Sequence, residues 1–503
     1  MEAHDPSPLG YLALRAHRPA PQPKGYHRRE GIRSGTHVHD LRSLPPAAIA
    51  EADAAALLRF GQFHPGPKRV GLSRSLGKKS LTSKEPEVER IPQPDGSTVW
   101  HFAIRSPGAF GLRIHLSSFD VGSGSAIIYA EDKDGLVVRG PYTRKGPNGT
   151  GEFWSESLPG ELVFVEVTSR QEPLFTVDEL IHFDRDPNAA QVGESSAAIA
   201  CHLDVMCYQV NPVARDATVQ LSFMSGGLAF VCSGTLLDDL DAATFVPYLL
   251  TAYHCISTQA EVDTLQVTFF WQRSACNGTL PDFPLPTMSG GTLLALNPTN
   301  EGNDMSFIRL KGLIPPGAVA AGWSLADGLT LPSYGIHHPA GSYKRVTFYE
   351  PSDYLLCSQD DDYFLGNPLN ESNEGGSSGS GLFDFNGRLL GQLYGRCGPG
   401  TDEGGNCADE DGWRALYGKF WVSYGIGGVG RWLEIGGTIN VDRAYNGTEL
   451  GTPTQPFNTV IEGYNLAWDG TRIKIRSGNY SEVLTLSKQL TILAEGGPVT
   501  IGR

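Results

Sequence analysis

The chain has 503 residues, 40% hydrophobic and 19% charged, with a formal net charge of -15. That length exceeds one ordinary domain, and that composition excludes a disordered chain. The 61 glycines and 34 prolines point to many short strands and turns, and no apolar run is long enough to span a membrane.

The charge is unevenly spread. Residues 1–90 carry 15 Lys and Arg against 9 Asp and Glu, and the rest carries 25 against 46. The acidic body excludes nucleic acid as partner, since phosphate binding needs a basic face. A basic head on an acidic body is compatible with a prosegment that docks on its own chain, as an inhibitor or a folding aid. Chance surface variation accounts for it equally well.

In chain order, residues 1–45 are rich in Pro, His and Arg, and "LPPAAIAEADAAALLRFG" (44–61) predicts one short helix. Residues 1–91 are therefore expected to form a poorly ordered basic pro-region with a short helix. From about residue 95, stretches such as "TVWHFAIRS", "FGLRIHLSSF" and "LVFVEVTS" alternate with turns, which predicts a β-sandwich pro- or accessory domain over 92–185. Residues 186–199 are small and polar, a linker and cleavage region. The segment 200–436 again alternates short strands with Gly/Pro turns, and a double β-barrel or sandwich is the natural class. In 437–503 the pairs Ile473 and Ile475, Leu484 and Leu486, Leu490 and Ile492, and Val499 and Ile501 predict very short strands. They resemble the first rungs of a right-handed parallel β-helix that stops with an open end. The fold class is thus mainly β.

All eight cysteines lie between Cys201 and Cys407, and none forms a C-x-x-C pair, so zinc and thioredoxin readings lack their spacing and no metal or cofactor is expected. An even count in one segment predicts disulfides in an oxidising compartment. Residues 1–25 hold no apolar core of a signal peptide. A secreted protein whose true start lies elsewhere, or a fragment, is expected in preference to a cytoplasmic one.

Three stretches carry chemistry. "FVPYLLTAYHC" leads an apolar run into a turn that presents His254, and a bridge from Cys255 to Cys232 would fix that turn. "NEGNDMSFIRL" sets Asp304 at the head of an apolar strand, where a carboxylate needs a hydrogen-bond donor such as an imidazole N–H. "NEGGSSGSGLFD" (373–384) has seven consecutive Gly and Ser residues, a composition common in linkers. Here, however, apolar strands flank it. A sharp glycine turn lets the N–H groups of Gly376 and Ser378 point at one oxyanion while Ser378 supplies the nucleophile. Taken singly, a loop histidine and a turn-capping aspartate are the commoner fates; His, Asp and Ser in this order and context are together specific.

These motifs, with "CHLDVMC" (201–207), "HHPAGSYK" (337–344) and "LYGKFWVSY" (416–424), resemble the chymotrypsin-like serine endopeptidases, closest to the bacterial lysyl-endopeptidase group. The resemblance covers about 200–436. It implies a two-barrel fold, His254 as general base and acid, Asp304 as its orienter, and Ser378 as the residue acylated by a protein or peptide substrate. It implies the disulfides Cys232–Cys255 and Cys207–Cys276, and Cys201 with Cys397 or Cys407, leaving Cys357 for whichever of those two remains. The N-terminal sandwich resembles accessory or pro-domains of secreted bacterial hydrolases.

Two departures stand out. Ser377 occupies the place where animal members carry the aspartate that receives a freed N-terminal amine, so removal of the N-terminal region has to act by unblocking the cleft or releasing a folding template. The specificity pocket is expected at Ser372, Tyr394, Gly395 and Ala415, and Ala415 replaces the aspartate of lysyl-specific members. Exclusive lysine preference is therefore not expected, unless Asp409 or Asp411 of the acidic loop 400–412 bends in. The competing reading is a catalytically silent adhesion protein that keeps the protease fold and binds through its sandwich and β-helix segments.

Overall fold

The computed structural model describes residues 3–5, 37–60, 66–77, 81–132, 135–187, 202–282, 284–299, 302–329, 332–352, 361–369, 373–397 and 414–502. Helix α1 (Pro46–Phe60) opens on a proline, whose fixed φ suits a first helical position, and continues through a run of strong helix formers. Its last residue, Phe60, meets Phe230 edge to face at 4.9 Å and so reaches the core of the central segment.

Strand β1 (Lys68–Ser75) follows. Strands β2 (Gly111–Asp120) and β3 (Glu179–Phe183) lie beside it in one sheet, β3 pairing with both β1 and β2. A second sheet contains Val38–Asp40, Glu89–Pro92, Thr98–Arg105, Leu162–Ser169, Ser125–Asp132 and Gly135–Thr143. Period-two alternation turns Phe102, Ile104, Ile128 and Val165 of that sheet toward Leu112, Ile114, Leu116 and Leu180 of the other, forming one core.

Residues 66–91 differ from the expectation of poor order. They contain β1, Leu81–Thr82 and most of the strand Glu89–Pro92. The charges of "KRVGLSRS" conceal the strand, because Arg69 is buried and paired with Asp53 and Asp184, each at 2.7 Å. A paired buried charge reads in sequence like a solvated one.

The central segment holds two barrels. In the first, β4 (Thr218–Ser225), β5 (Leu228–Leu237), β6 (Tyr248–Ala252) and β7 (Met305–Leu310) pair in antiparallel ladders, with Gln266–Thr268, Thr287–Ser289 and Gly291–Asn297 extending the sheet. Strand β5 also pairs with β1, so the N-terminal sheet and the first barrel form one continuous 14-stranded sheet. The second barrel closes as a ring: β8 (Ser333–His337), β9 (Arg345–Pro351), β10 (Tyr363–Pro368), β13 (Arg414–Lys419), β12 (Leu389–Cys397) and β11 (Gly381–Phe383), which returns to β8. One apolar core runs from Leu221 and Phe223 in the first barrel to Ile336, Val346 and Phe383 in the second.

The tail is a parallel three-stranded sheet of Thr438–Val441, Arg472–Tyr480 and Thr491–Ile501 over Val460, Ile473 and Ile475. Leu484 and Leu486, expected in a strand, lie outside any; Leu486 is exposed and the segment crosses between two strands without a ladder partner. No described helix is long and apolar enough to cross a membrane.

Candidate active site

Antiparallel register brings the first two candidate residues together. Ala252 at the end of β6 faces Met305 at the start of β7, so the residues just beyond, His254 and Asp304, meet at the same end of the ladder. His254 Nδ1 lies 2.7 Å from Asp304 Oδ2, and the His254 backbone N–H donates to Oδ1 at 3.0 Å. Both side chains are fully buried. Thr299 donates its hydroxyl to Oδ1 at 2.8 Å, so the carboxylate accepts from three groups. Asp304 sits at φ 60°, a left-handed conformation that aspartate tolerates better than most side chains.

That turn is tied to the second barrel through its neighbour. The Asn303 side chain donates to the Lys419 carbonyl at 2.7 Å and to Ser423 Oγ at 2.8 Å, and Gln392 Nε2 donates to the Asn303 carbonyl at 2.7 Å. Cys255 is bonded to Cys232 on β5, and Cys207 to Cys276, the pairings expected for those four. Cys397 is also disulfide-bonded. Cys201, Cys357 and Cys407 lie outside the described residues.

Ser378 lies on the turn before β11, fully buried. The turn is folded on itself by Ser377 N–H to the Glu374 carbonyl at 2.9 Å and Ser380 N–H to the Ser377 carbonyl at 3.1 Å. Gly376 at φ 99° and Gly379 at φ 80° set its shape. A side chain at Gly379 would stand 2.5 Å from the Ser233 carbonyl and 2.8 Å from Ala252 N, so the turn is pressed against the strand that delivers His254.

Ser233 on β5 anchors it further: its N–H donates to the Ser378 carbonyl at 2.9 Å, its hydroxyl donates to the Gly376 carbonyl at 2.9 Å and accepts from His338 N–H at 2.9 Å. Where the animal enzymes have an aspartate, Ser377 is buried with its hydroxyl 2.7 Å from His337 Nδ1, and His337 Nε2 lies 3.1 Å from Thr347 Oγ1. Burial holds His337 well below the usual imidazole range, with His202 adding to the effect, so the ring is neutral.

Of the expected pocket residues, Tyr394 lies on β12 with its ring 6.0 Å from that of His254, edge to face. Burial, and then Asp304, raise its phenol above the ordinary value. Gly395 is on the same strand, opposite Leu416. Ala415 is fully buried among Tyr349, Phe364, Leu393 and Tyr417 inside the second barrel. Ser372, Asp409 and Asp411 lie outside the described residues. Sequence reading missed Thr299, Asn303, Gln392, Ser233 and His337; the last three lie far in sequence from the groups they support, and Thr299 and Asn303, within five residues of Asp304, carry no local pattern that marks them. A cleft of about 450 Å³ elsewhere, between the N-terminal sheets and the first barrel, is lined by Phe110, Arg139, Gln266, Trp271 and Leu285 and does not include these residues.

Comparison with known proteins supports the class suggested by this geometry: the chain is a serine endopeptidase, a hydrolase. The family described as lysyl endopeptidase, C-terminal domain, matches residues 193–411. Lysyl endopeptidase of Pseudomonas aeruginosa is 28% identical over 378 residues, which cover 66% of this chain and 76% of that protein. Among solved structures, the scabies mite inactivated protease paralogue S-I1 is 16% identical with a TM-score of 0.30, covering 43% of this chain and 94% of that one. Deg5 is 17% identical with a TM-score of 0.26, covering 36% and 80%.

Proposed function

We propose that Ser378, His254 and Asp304 form the catalytic triad of this endopeptidase, acting on protein or peptide substrates through an acyl-enzyme. Ser378 Oγ attacks the scissile carbonyl as His254 takes its proton; Asp304 holds the imidazole in the tautomer that can do so. The oxyanion is received by the N–H groups of Gly376 and Ser378. His254 then protonates the leaving amine, and water releases the acyl group by the same steps. The observation that carries this reading is the buried His254–Asp304 pair at 2.7 Å, beside a turn pressed onto β6.

Tyr394, Gly395 and Ala415 line the primary pocket; Ser372, the other residue expected there, lies outside the described residues. Without a carboxylate at Ala415, a buried substrate ammonium would lack a counter-charge, at a cost of several kcal/mol in order of magnitude. Lysine, the residue named for the relative, is therefore not the exclusive choice here. The chain is secreted; residues 92–185 form a sandwich-type accessory domain, 437–503 form the first rungs of a β-helix, and the N-terminal region restrains the enzyme. The test is exhaustive labelling with a fluorophosphonate: one equivalent on Ser378 is expected, and none in Ser378→Ala. A wild-type chain that takes up no label however long it is exposed refutes the triad.

A further inference from the structure

We infer that residues 66–72 lie in the substrate's place as an uncleaved peptide, with Gly66–Pro67 seated as the bond to be cut. This rests on the reading of Ser378 as nucleophile. Gly376 N–H, one of the two donors assigned to the oxyanion, donates to the carbonyl of Gly66 at 3.1 Å. Two residues on, Lys68 enters the antiparallel ladder with Val231 of β5, the residue before Cys232 and two before Ser233. The segment therefore has the two marks of a bound peptide: a carbonyl in the oxyanion site, and a following stretch added as a strand along the edge beside it. Lys68 also runs alongside the Gly/Ser turn, since a side chain built at Gly375 would meet the Gly66 carbonyl at 3.3 Å and Lys68 Cδ at 3.5 Å.

The chemistry explains why such a peptide survives. Acylation forms the Ser378 Oγ–carbonyl bond and breaks C–N, with the proton from Oγ passing through His254 to the leaving nitrogen. Here that nitrogen belongs to Pro67, a tertiary amide that carries no N–H and is tied into a ring. Gly66 has no side chain with which to fill the primary pocket, so it forgoes binding that favours the transition state. The leaving strand is also held on both edges: β1 pairs with β5 on one side and β3 on the other, and Arg69 is locked between Asp53 and Asp184. An amine retained there re-forms the peptide bond instead of departing. The partner that fits this edge is thus the chain's own segment, and true substrates must displace it.

The test is the rate of fluorophosphonate labelling of the full-length chain. Lys68→Pro puts a residue with no N–H into the ladder opposite Val231, at a position with an exposed side chain. Labelling about tenfold faster than wild type is expected, roughly the effect of one or two backbone hydrogen bonds. Gly71→Val, which drives a side chain into the His182 carbonyl 2.6 Å from its Cβ position, provides a second way to loosen β1. In Pro67→Ala, mass spectrometry is expected to find a new N-terminus at residue 67, and none when Ser378→Ala is added. Wild type labelled as fast as both loosened variants overturns the seated peptide while leaving the triad standing. An uncut Pro67→Ala chain overturns the role given to Pro67. No label in any variant refutes the nucleophile and this inference with it.

Discussion

Ser233 joins the carbonyls on both sides of Ser377 to β5, through an N–H bond to Ser378 and a hydroxyl bond to Gly376. It touches no reacting atom, so its effect falls on the placement of the oxyanion donors. Ser233→Ala is expected to lower kcat about 10- to 100-fold with KM nearly unchanged, since a small displacement of an oxyanion donor costs on that scale. Steady-state kinetics on a peptide ester separates the two parameters; an unchanged kcat would show that the turn holds itself. Asp304→Asn should lower kcat on the order of 10⁴-fold, because the amide favours the wrong imidazole tautomer. The fold should persist, as asparagine tolerates the same left-handed backbone and still accepts from Thr299; circular dichroism checks this. His254, Asp304 and Ser378 stand out in the sequence because each sits in a local pattern of apolar run and small-residue turn. Their supports do not: Ser233 lies 145 positions before Ser378, and Thr299 looks like any loop threonine. Only the folded ladder brings such pairs together.

Among the elements, the strands around the proposed triad were the readable ones, since β5, β6 and β7 are buried along most of their length and flanked by Gly/Pro turns. Strand β1 was not, because its buried arginine breaks the apolar alternation, and the parallel strands of the tail are longer than their Ile and Val pairs suggested. The Cys232–Cys255 bridge ties β5 to the turn of His254, its ends 23 positions apart in sequence. Replacing both cysteines with alanine should cost about 3 kcal/mol in stability, the chain-entropy scale for a loop of that size. Denaturant midpoints measure it; a wild-type midpoint in the double variant would mean that the β5–β6 ladder alone fixes the turn.

At the scale of the whole molecule, the loop after β5 joins the first barrel to the tail. Asp241 pairs with Arg472 at 3.0 Å, and Tyr248 donates to the Gly436 carbonyl at 3.1 Å. Beside them, burial pushes the Asp239 carboxyl up to about 7, despite the Asp241 N–H that favours the anion. A carboxyl raised above its unfolded value binds more protons in the folded state. Its contribution is therefore fully present below about pH 4 and lost as pH rises to about 7. Asp239→Asn cannot make that titration, so thermal melts between pH 4 and 8 should show the variant gaining on wild type as pH rises, by a few kcal/mol at most. Parallel curves for the two proteins would remove Asp239 from the account.

The sheet shared through β1 has a consequence for how the molecule responds to being cut. Strand β1, Phe60 on Phe230, Arg59 with Glu261 at 3.3 Å, and Ser157 with Gln266 at 2.7 Å all join the N-terminal sheets to the first barrel without using the polypeptide between residues 187 and 202. A chain nicked there would migrate as two bands when denatured, yet elute as a single particle under native conditions. Scission and separation are therefore distinct events for this enzyme, and a gel alone would mistake the first for the second.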